Sequence, residues 1–140
     1  MFLGEYRQKL TGKGRILLPL KLRQQIQGEN IVLSKGFEKC LFGYDEQRWQ
    51  EMAQKQLRQS SLTNRQDRNL RRYLFSGAAI ASLDQQGRFV IPENLLQYAA
   101  IENEALLIGA GDHFEIWLPQ NWAQHLQGLE NEIGDWNLEL

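Results

Sequence analysis

Leu83-Asp84-Gln85-Gln86-Gly87-Arg88-Phe89-Val90-Ile91-Pro92 decides how this chain folds, because Leu10-Thr11-Gly12-Lys13-Gly14-Arg15-Ile16-Leu17-Leu18-Pro19 says nearly the same thing earlier. Each run sets a leucine before five residues that end in Gly-Arg, and three apolar residues then lead to a proline. A repeat of this kind is first a statement about architecture. Glycines permit φ > 0, so both copies read as a tight reversal followed by a short buried strand. The proline suits the first position of a helix, where its missing N–H is not needed.

Outward from the first copy, residues 5–11 alternate Tyr6, Gln8, Leu10 against Arg7, Lys9, Thr11 and read as a strand. Beyond Pro19, Leu22 and Ile26 share a helix face up to Gly28, which ends it. Ile31–Leu33 and Cys40–Tyr44 form a hairpin around Gly36. Asp45 caps a helix through about Gln59, with Trp49, Met52, Ala53 and Leu57 inward. Thr63 and Gln66 form a capping box for a second helix reaching Phe75, with Leu70, Tyr73 and Leu74 inward.

The second copy repeats the plan. Residues 77–83 and 89–91 are strands, and Pro92 opens a helix holding Leu95, Leu96 and Tyr98. Leu106–Ile108 and Phe114–Trp117 form the second hairpin, and Pro119 starts a last helix. The offset is 73 at the turns, 75 at the hairpin glycines Gly36 and Gly111, and 73 at Trp49 and Trp122. The α+β chain divides into a first half-repeat (residues 1–50), a connecting helical segment (51–76), a second half-repeat (77–126) and an acidic, loose tail (127–140). One copy cannot bury its own sheet, whereas two can close around a pseudo-two-fold axis and remove most exposed strand edges.

At 140 residues, 42% hydrophobic and 24% charged, the composition is that of a soluble globular protein. Its apolar runs fall short of the roughly 18 residues of a membrane helix, and its start lacks a signal layout, so a cytoplasmic protein without membrane contact is expected. The lone Cys40 reads as a small core residue. The net charge of -1 hides an asymmetry. Residues 1–27 carry six basic groups against one acid, a net +5. Residues 48–72 carry seven against two, again +5, and residues 93–140 carry nine acids and no Lys or Arg. Such a distribution suggests a basic working face with the acidic end kept away from it or set against another subunit.

The Asp84–Arg88 turn sets a carboxylate and a guanidinium across a tight loop, so the aspartate is expected to fork with the arginine and fix it. A fixed guanidinium suits phosphate oxygens or the O6/N7 edge of a guanine. The pair could equally only staple the turn, contributing at most about 1 kcal/mol if exposed. His113 and His125 have no Cys or second His at metal-ligand spacing, and His125 reads as a surface residue. No nucleophile elbow or phosphate loop is present. No enzyme, metal or cofactor is therefore expected.

Met1-Phe2-Leu3-Gly4-Glu5-Tyr6, Lys13-Gly14-Arg15 and Leu18-Pro19 together resemble the MraZ family. So do Gly36-Phe37 with Cys40-Leu41, Tyr44 and Trp49, and Arg68 with Arg72 and Ala78. Asp84–Arg88 with Ile91-Pro92, and Gly109 through Trp117, complete a match running in order over residues 1–126. The resemblance implies two tandem swapped-hairpin (AbrB-like) β-barrel half-repeats related by a pseudo-two-fold axis, with helices packed around them. It implies a nucleoid-associated bacterial transcriptional regulator, a repressor in our reading, of the division and cell-wall gene cluster. Such a regulator binds double-stranded promoter DNA at direct repeats as a ring-shaped homo-oligomer. The family's paired D-x-x-x-R turns carry its DNA contacts, which by position are Lys13 and Arg15, and Asp84 and Arg88. Thr11 stands where the family pattern has an acid, and a hydroxyl can neither neutralise nor fork with Arg15. A protein-interaction scaffold on the same barrel is the alternative.

Overall fold

A computed structural model describes residues 1–140. In chain order the elements are β1 (Glu5–Lys9), β2 (Arg15–Leu17), α1 (Leu20–Arg23), β3 (Asn30–Lys35), β4 (Leu41–Asp45), α2 (Glu46–Gln59) and α3 (Arg65–Ser76). The second copy follows as β5 (Ala79–Ser82), β6 (Arg88–Val90), α4 (Glu93–Ala99), β7 (Glu104–Gly109), β8 (Phe114–Trp117) and α5 (Pro119–Glu132). The fold is α+β. Six strands form an antiparallel sheet in the order β1-β7-β8-β4-β3-β5, and β2 pairs with β6 as a separate two-stranded ribbon.

The two copies interleave. β1 pairs with β7 of the second copy (Tyr6 opposite Leu107), and β5 pairs with β3 of the first (Ile80 opposite Val32). Reciprocal links extend the same exchange: the Leu10 N–H donates to the Asn103 carbonyl at 2.9 Å and the Leu83 N–H to the Glu29 carbonyl at 2.7 Å. Neither half therefore completes its sheet without the other. Ile16, Leu18, Leu22, Phe89, Ile91 and Leu95 share one buried cluster with Phe2, Leu41, Leu107 and Phe114. Burying side chains of this size gives about 1.5–3 kcal/mol each, and here that stabilisation comes from both copies at once.

The internal repeat also shows in the aromatic packing. Trp49, at the start of α2, stacks edge-on to Tyr44 at 5.6 Å, and Trp122, at the start of α5, does the same to Trp117 at 5.2 Å. Asp45 accepts the Arg48 N–H at 3.0 Å, which caps α2 as its sequence predicts. At the equivalent place α5 uses Pro119 and has no side-chain cap.

Several expectations need correction. α1 is a single turn ending at Arg23, because Gln25 and Ile26 close tighter i→i+3 bonds instead of extending it. α3 is capped by Asn64, whose Oδ1 accepts the Asp67 N–H at 3.0 Å, so the Thr63–Gln66 capping box does not form. The Thr63 hydroxyl pairs with Ser61 instead. α2 buries no residue fully, and both Leu57 and Leu70 are exposed. α5 runs past Asn131 to Glu132 and tightens into a 3-10 turn at Ile133–Asp135, after which the chain is exposed. His125 is half-buried and lies 5.0 Å from the Trp117 ring, not free on the surface. Cys40 is buried as expected, and burial with the nearby Glu115 charge pushes its thiol up to about 12.

Candidate nucleic-acid interface

The ribbon formed by β2 and β6 sets the geometry of the basic turns. Its register places Arg15 opposite Val90, Ile16 opposite Phe89 and Leu17 opposite Arg88. Side chains alternate along a strand, so Ile16 and Phe89 face the core while Arg15, Leu17, Arg88 and Val90 share the other face. Burial follows that division: Ile16 and Phe89 are 1% and 2% exposed, Arg15 and Val90 are exposed, and Leu17 and Arg88 are half-buried. Each arginine thus stands across from the apolar residue of the opposite copy.

Each turn is tied to the opposite copy by matching bonds. The Ile91 N–H donates to the Gly14 carbonyl at 2.9 Å, and the Leu18 N–H donates to the Gly87 carbonyl at 2.8 Å. Gly14 and Gly87 have φ of +82° and +84°, a region that L side chains rarely adopt. Both turns close between their first and last residues. Thr11 and Arg15 exchange two backbone bonds at 2.8 and 3.0 Å, and the Asp84 N–H donates to the Arg88 carbonyl at 2.9 Å.

The turns differ in their side chains. Asp84 Oδ1 accepts the backbone N–H of Gln86 and that of Arg88, both at 2.9 Å. The carboxylate therefore braces the loop backbone and does not fork with the guanidinium, which corrects the sequence expectation. The reason is reach: a short aspartate at the first turn position lies over the backbone donors of its own loop. The Arg88 guanidinium instead donates to Gln86 Oε1. The Arg88 N–H first, then the Gln86 N–H and the charges of Arg88 and Arg15, hold the Asp84 carboxyl below its ordinary 3.8, against a desolvation that opposes them. Arg15 of the first turn thus lies within the field of the second turn's aspartate. Thr11 offers no comparable brace, and Lys13 and Arg15 are exposed.

Sequence reasoning passed over Arg23. A Cβ added at Gly87 would overlap Arg23 Nη1 and lie 2.8 Å from Arg23 Cδ, so this side chain from α1 lies directly over the second turn. At the corresponding place over the first turn, a Cβ at Gly14 would meet Leu96 Cδ1 at 2.9 Å. The repeat makes Arg23 and Leu96 equivalent, 73 positions apart, but does not say that either lies over a turn. The structure thus brings Arg15, Arg23, Arg88 and Asp84 to one ribbon, with Lys13 at the tip of the first turn. Four donor-bearing groups around these two turns are suited to a polyanion and hold no nucleophile–base couple. No group of three or more His, Cys, Asp or Glu is arranged to hold a metal ion. No helix is long and apolar enough to cross a membrane.

Comparison with known proteins agrees with the duplication. The family model for the MraZ protein, described as antitoxin-like, matches twice, over residues 1–73 and 74–134, with the junction inside α3. The chain is 40% identical over 130 residues to the transcriptional regulator MraZ of Roseiflexus sp. (strain RS-1), covering 93% of this chain and 90% of that protein. It is 41% identical over 131 residues to the transcriptional regulator MraZ of Syntrophomonas wolfei subsp. wolfei, covering 94% and 90%. The transcriptional regulator MraZ of Clostridium acetobutylicum is 41% identical over 125 residues, covering 89% and 87%.

Proposed function

The chain belongs to the MraZ family, and on that premise we propose that it is a sequence-specific DNA-binding transcriptional regulator with no catalytic activity. The observation that carries this reading is the ribbon face that Arg15 and Arg88 share, flanked by two turns whose tips, Gly12 with Lys13 and Gln85 with Gln86, are exposed. A two-stranded ribbon fits a DNA major groove, where a guanidinium can bond both O6 and N7 of guanine. Lys13 and Arg23 contribute phosphate contacts, which position the protein without reading sequence. Asp84 acts through the loop: by fixing the Gln86 and Arg88 backbone it presents the Arg88 side chain from a defined origin.

The finer reading makes the protein a cytoplasmic, nucleoid-associated repressor of the bacterial division and cell-wall gene cluster. It binds promoter direct repeats as a ring-shaped homo-oligomer. Two swapped-hairpin half-repeats (residues 1–50 and 77–126) close into one barrel that presents both turns, joined by the helical segment 51–76. One ribbon reaches only a few bases, so affinity comes from several subunits engaging spaced repeats. Exposed Leu57, Leu62 and Leu70 on the helical segment give neighbouring subunits an apolar surface to cover. The test is fluorescence anisotropy of the protein with the duplex upstream of its own gene and with a shuffled duplex of equal composition. Tighter binding to the first is expected, falling with salt at a log–log slope of about 0.9 per neutralised phosphate. Equal binding to both duplexes removes the sequence-specific reading.

A further inference from the structure

Val90 is an unusual residue to leave on that ribbon face. It is 47% exposed, although the strand's other large apolar residue, Phe89, is 2% exposed. Its neighbours on the face are charged: Arg15 stands directly across from it, and Arg88 lies two residues back on its own strand. Directly opposed Cβ atoms in an antiparallel pair are about 4.5–5.5 Å apart. The Arg15 side chain and the Val90 methyl groups therefore reach the same short stretch of any ligand that enters between the turns. In the first copy the equivalent position, Leu17 opposite Arg88, is half-buried, so Val90 is the more available of the two.

In a DNA major groove the apolar features are the C5-methyl groups of thymine, and successive bases along a strand are about 3.4 Å apart. We infer that Val90 is a specificity-determining residue that packs against the C5-methyl of a thymine next to the guanine read by Arg15. This rests on the DNA-binding reading above and adds to it a named base contact and its chemistry. Arg15 supplies hydrogen bonds to one base edge, and Val90 supplies a dry contact to its neighbour. Arginine alone cannot tell thymine from cytosine beside its guanine; the aliphatic partner does so, because only thymine carries the methyl group.

The test uses the full-length protein and duplexes from its own upstream region, with the protected site first located by footprinting. Each thymine of one repeat is replaced in turn by deoxyuridine, which deletes the methyl group and keeps every hydrogen-bonding group. For the wild-type protein one such replacement, beside a guanine, is expected to weaken binding about fourfold, the effect of one buried methyl-sized group. For Val90→Ala the thymine and deoxyuridine duplexes should bind alike. Val90→Thr, which keeps one methyl group and the strand preference, should retain part of the difference. If Val90→Ala, folded by circular dichroism, discriminates as well as wild type does, the inference is overturned. If wild type binds its site specifically but no deoxyuridine duplex binds more weakly, the inference falls and the DNA-binding reading stands. Absence of specific binding by wild type removes both.

Discussion

The turns at Thr11–Arg15 and Asp84–Arg88 share a backbone and little else. Both place a glycine at φ above +80° before the arginine, and both hand that glycine's carbonyl to the opposite copy. One is braced by a carboxylate that holds two N–H groups, and its arginine donates to Gln86. The other has a threonine, a second glycine and an exposed lysine. One is covered by the flexible end of Arg23, the other by Leu96 and the Ile91 carbonyl. Duplication has kept what closes the core and let the side chains presented outward diverge. The second turn is held by a side-chain carboxylate, and the first is held by backbone bonds alone and carries an exposed lysine.

Substitutions at the two turns test this contrast. Replacing both arginines (Arg15→Ala with Arg88→Ala) should reduce binding of the upstream duplex to that of a shuffled one. Each bidentate arginine–guanine pair is worth about 1–3 kcal/mol of discrimination, and several subunits multiply the effect. Specific binding retained by the double variant would show that neither turn reads DNA. On stability, Gly14→Ala should cost more than Gly87→Ala in urea melts. Both force an L residue toward left-handed backbone, at roughly 1–2 kcal/mol, but only Gly14 also meets an immobile backbone carbonyl, 2.7 Å away. At Gly87 the obstruction is an arginine side chain that can swing aside. Equal losses would mean that Arg23 is fixed in place.

Smaller effects bear on how the turns are covered and braced. Arg23→Leu, which copies the cover of the first turn, should weaken all DNA sequences a few-fold and lower the salt slope by about one. A loss confined to the specific duplex would make Arg23 a base reader. Thr11→Asp should give the first turn its missing brace, seen as slower amide exchange at Lys13, the Arg15 N–H being already bonded to the Thr11 carbonyl. Unchanged exchange would show that the carboxylate is not what distinguishes the turns. The smallest signal is the titration of Asp84. Its folded pKa is depressed, so its contribution to stability is present above 3.8 and lost as pH falls through the folded value. A carboxyl NMR titration should place Asp84 below 3.8, and the carboxyl introduced by Thr11→Asp should follow it. A midpoint at or above 3.8 for Asp84 would contradict the hydrogen-bonded brace.

Much of this arrangement was legible in the sequence because a repeat states its equivalences directly. The offset of 73 located both turns, both prolines and the paired tryptophans. The three apolar residues after each Gly-Arg read as a wholly buried strand, whereas Leu17 is half-buried and Val90 exposed, because strand alternation turns every second residue away from the core. Asp45 was readable as a cap because its acceptor serves a backbone donor three residues away. What escaped depended on long-range placement. Arg23 lies over Gly87 across 64 positions, a meeting set by how the copies interleave and not by either local pattern. The fork between Asp84 and Arg88 was misjudged because a sequence names the donors without saying which lie within reach. The helical faces of α2 and α3 were periodic, yet periodicity does not say whether anything in the chain covers Leu57 or Leu70.

If the braced turn does most of the reading, a single pair of titrations will show it. Arg88→Ala and Arg15→Ala proteins of unchanged fold and oligomeric mass are compared with wild type by anisotropy on the upstream duplex at one salt concentration. The larger fall in specific affinity is expected for Arg88→Ala, at least about tenfold, as for one bidentate guanine pair. An equal or larger fall for Arg15→Ala, or unchanged binding by Arg88→Ala, would contradict a leading role for the braced turn.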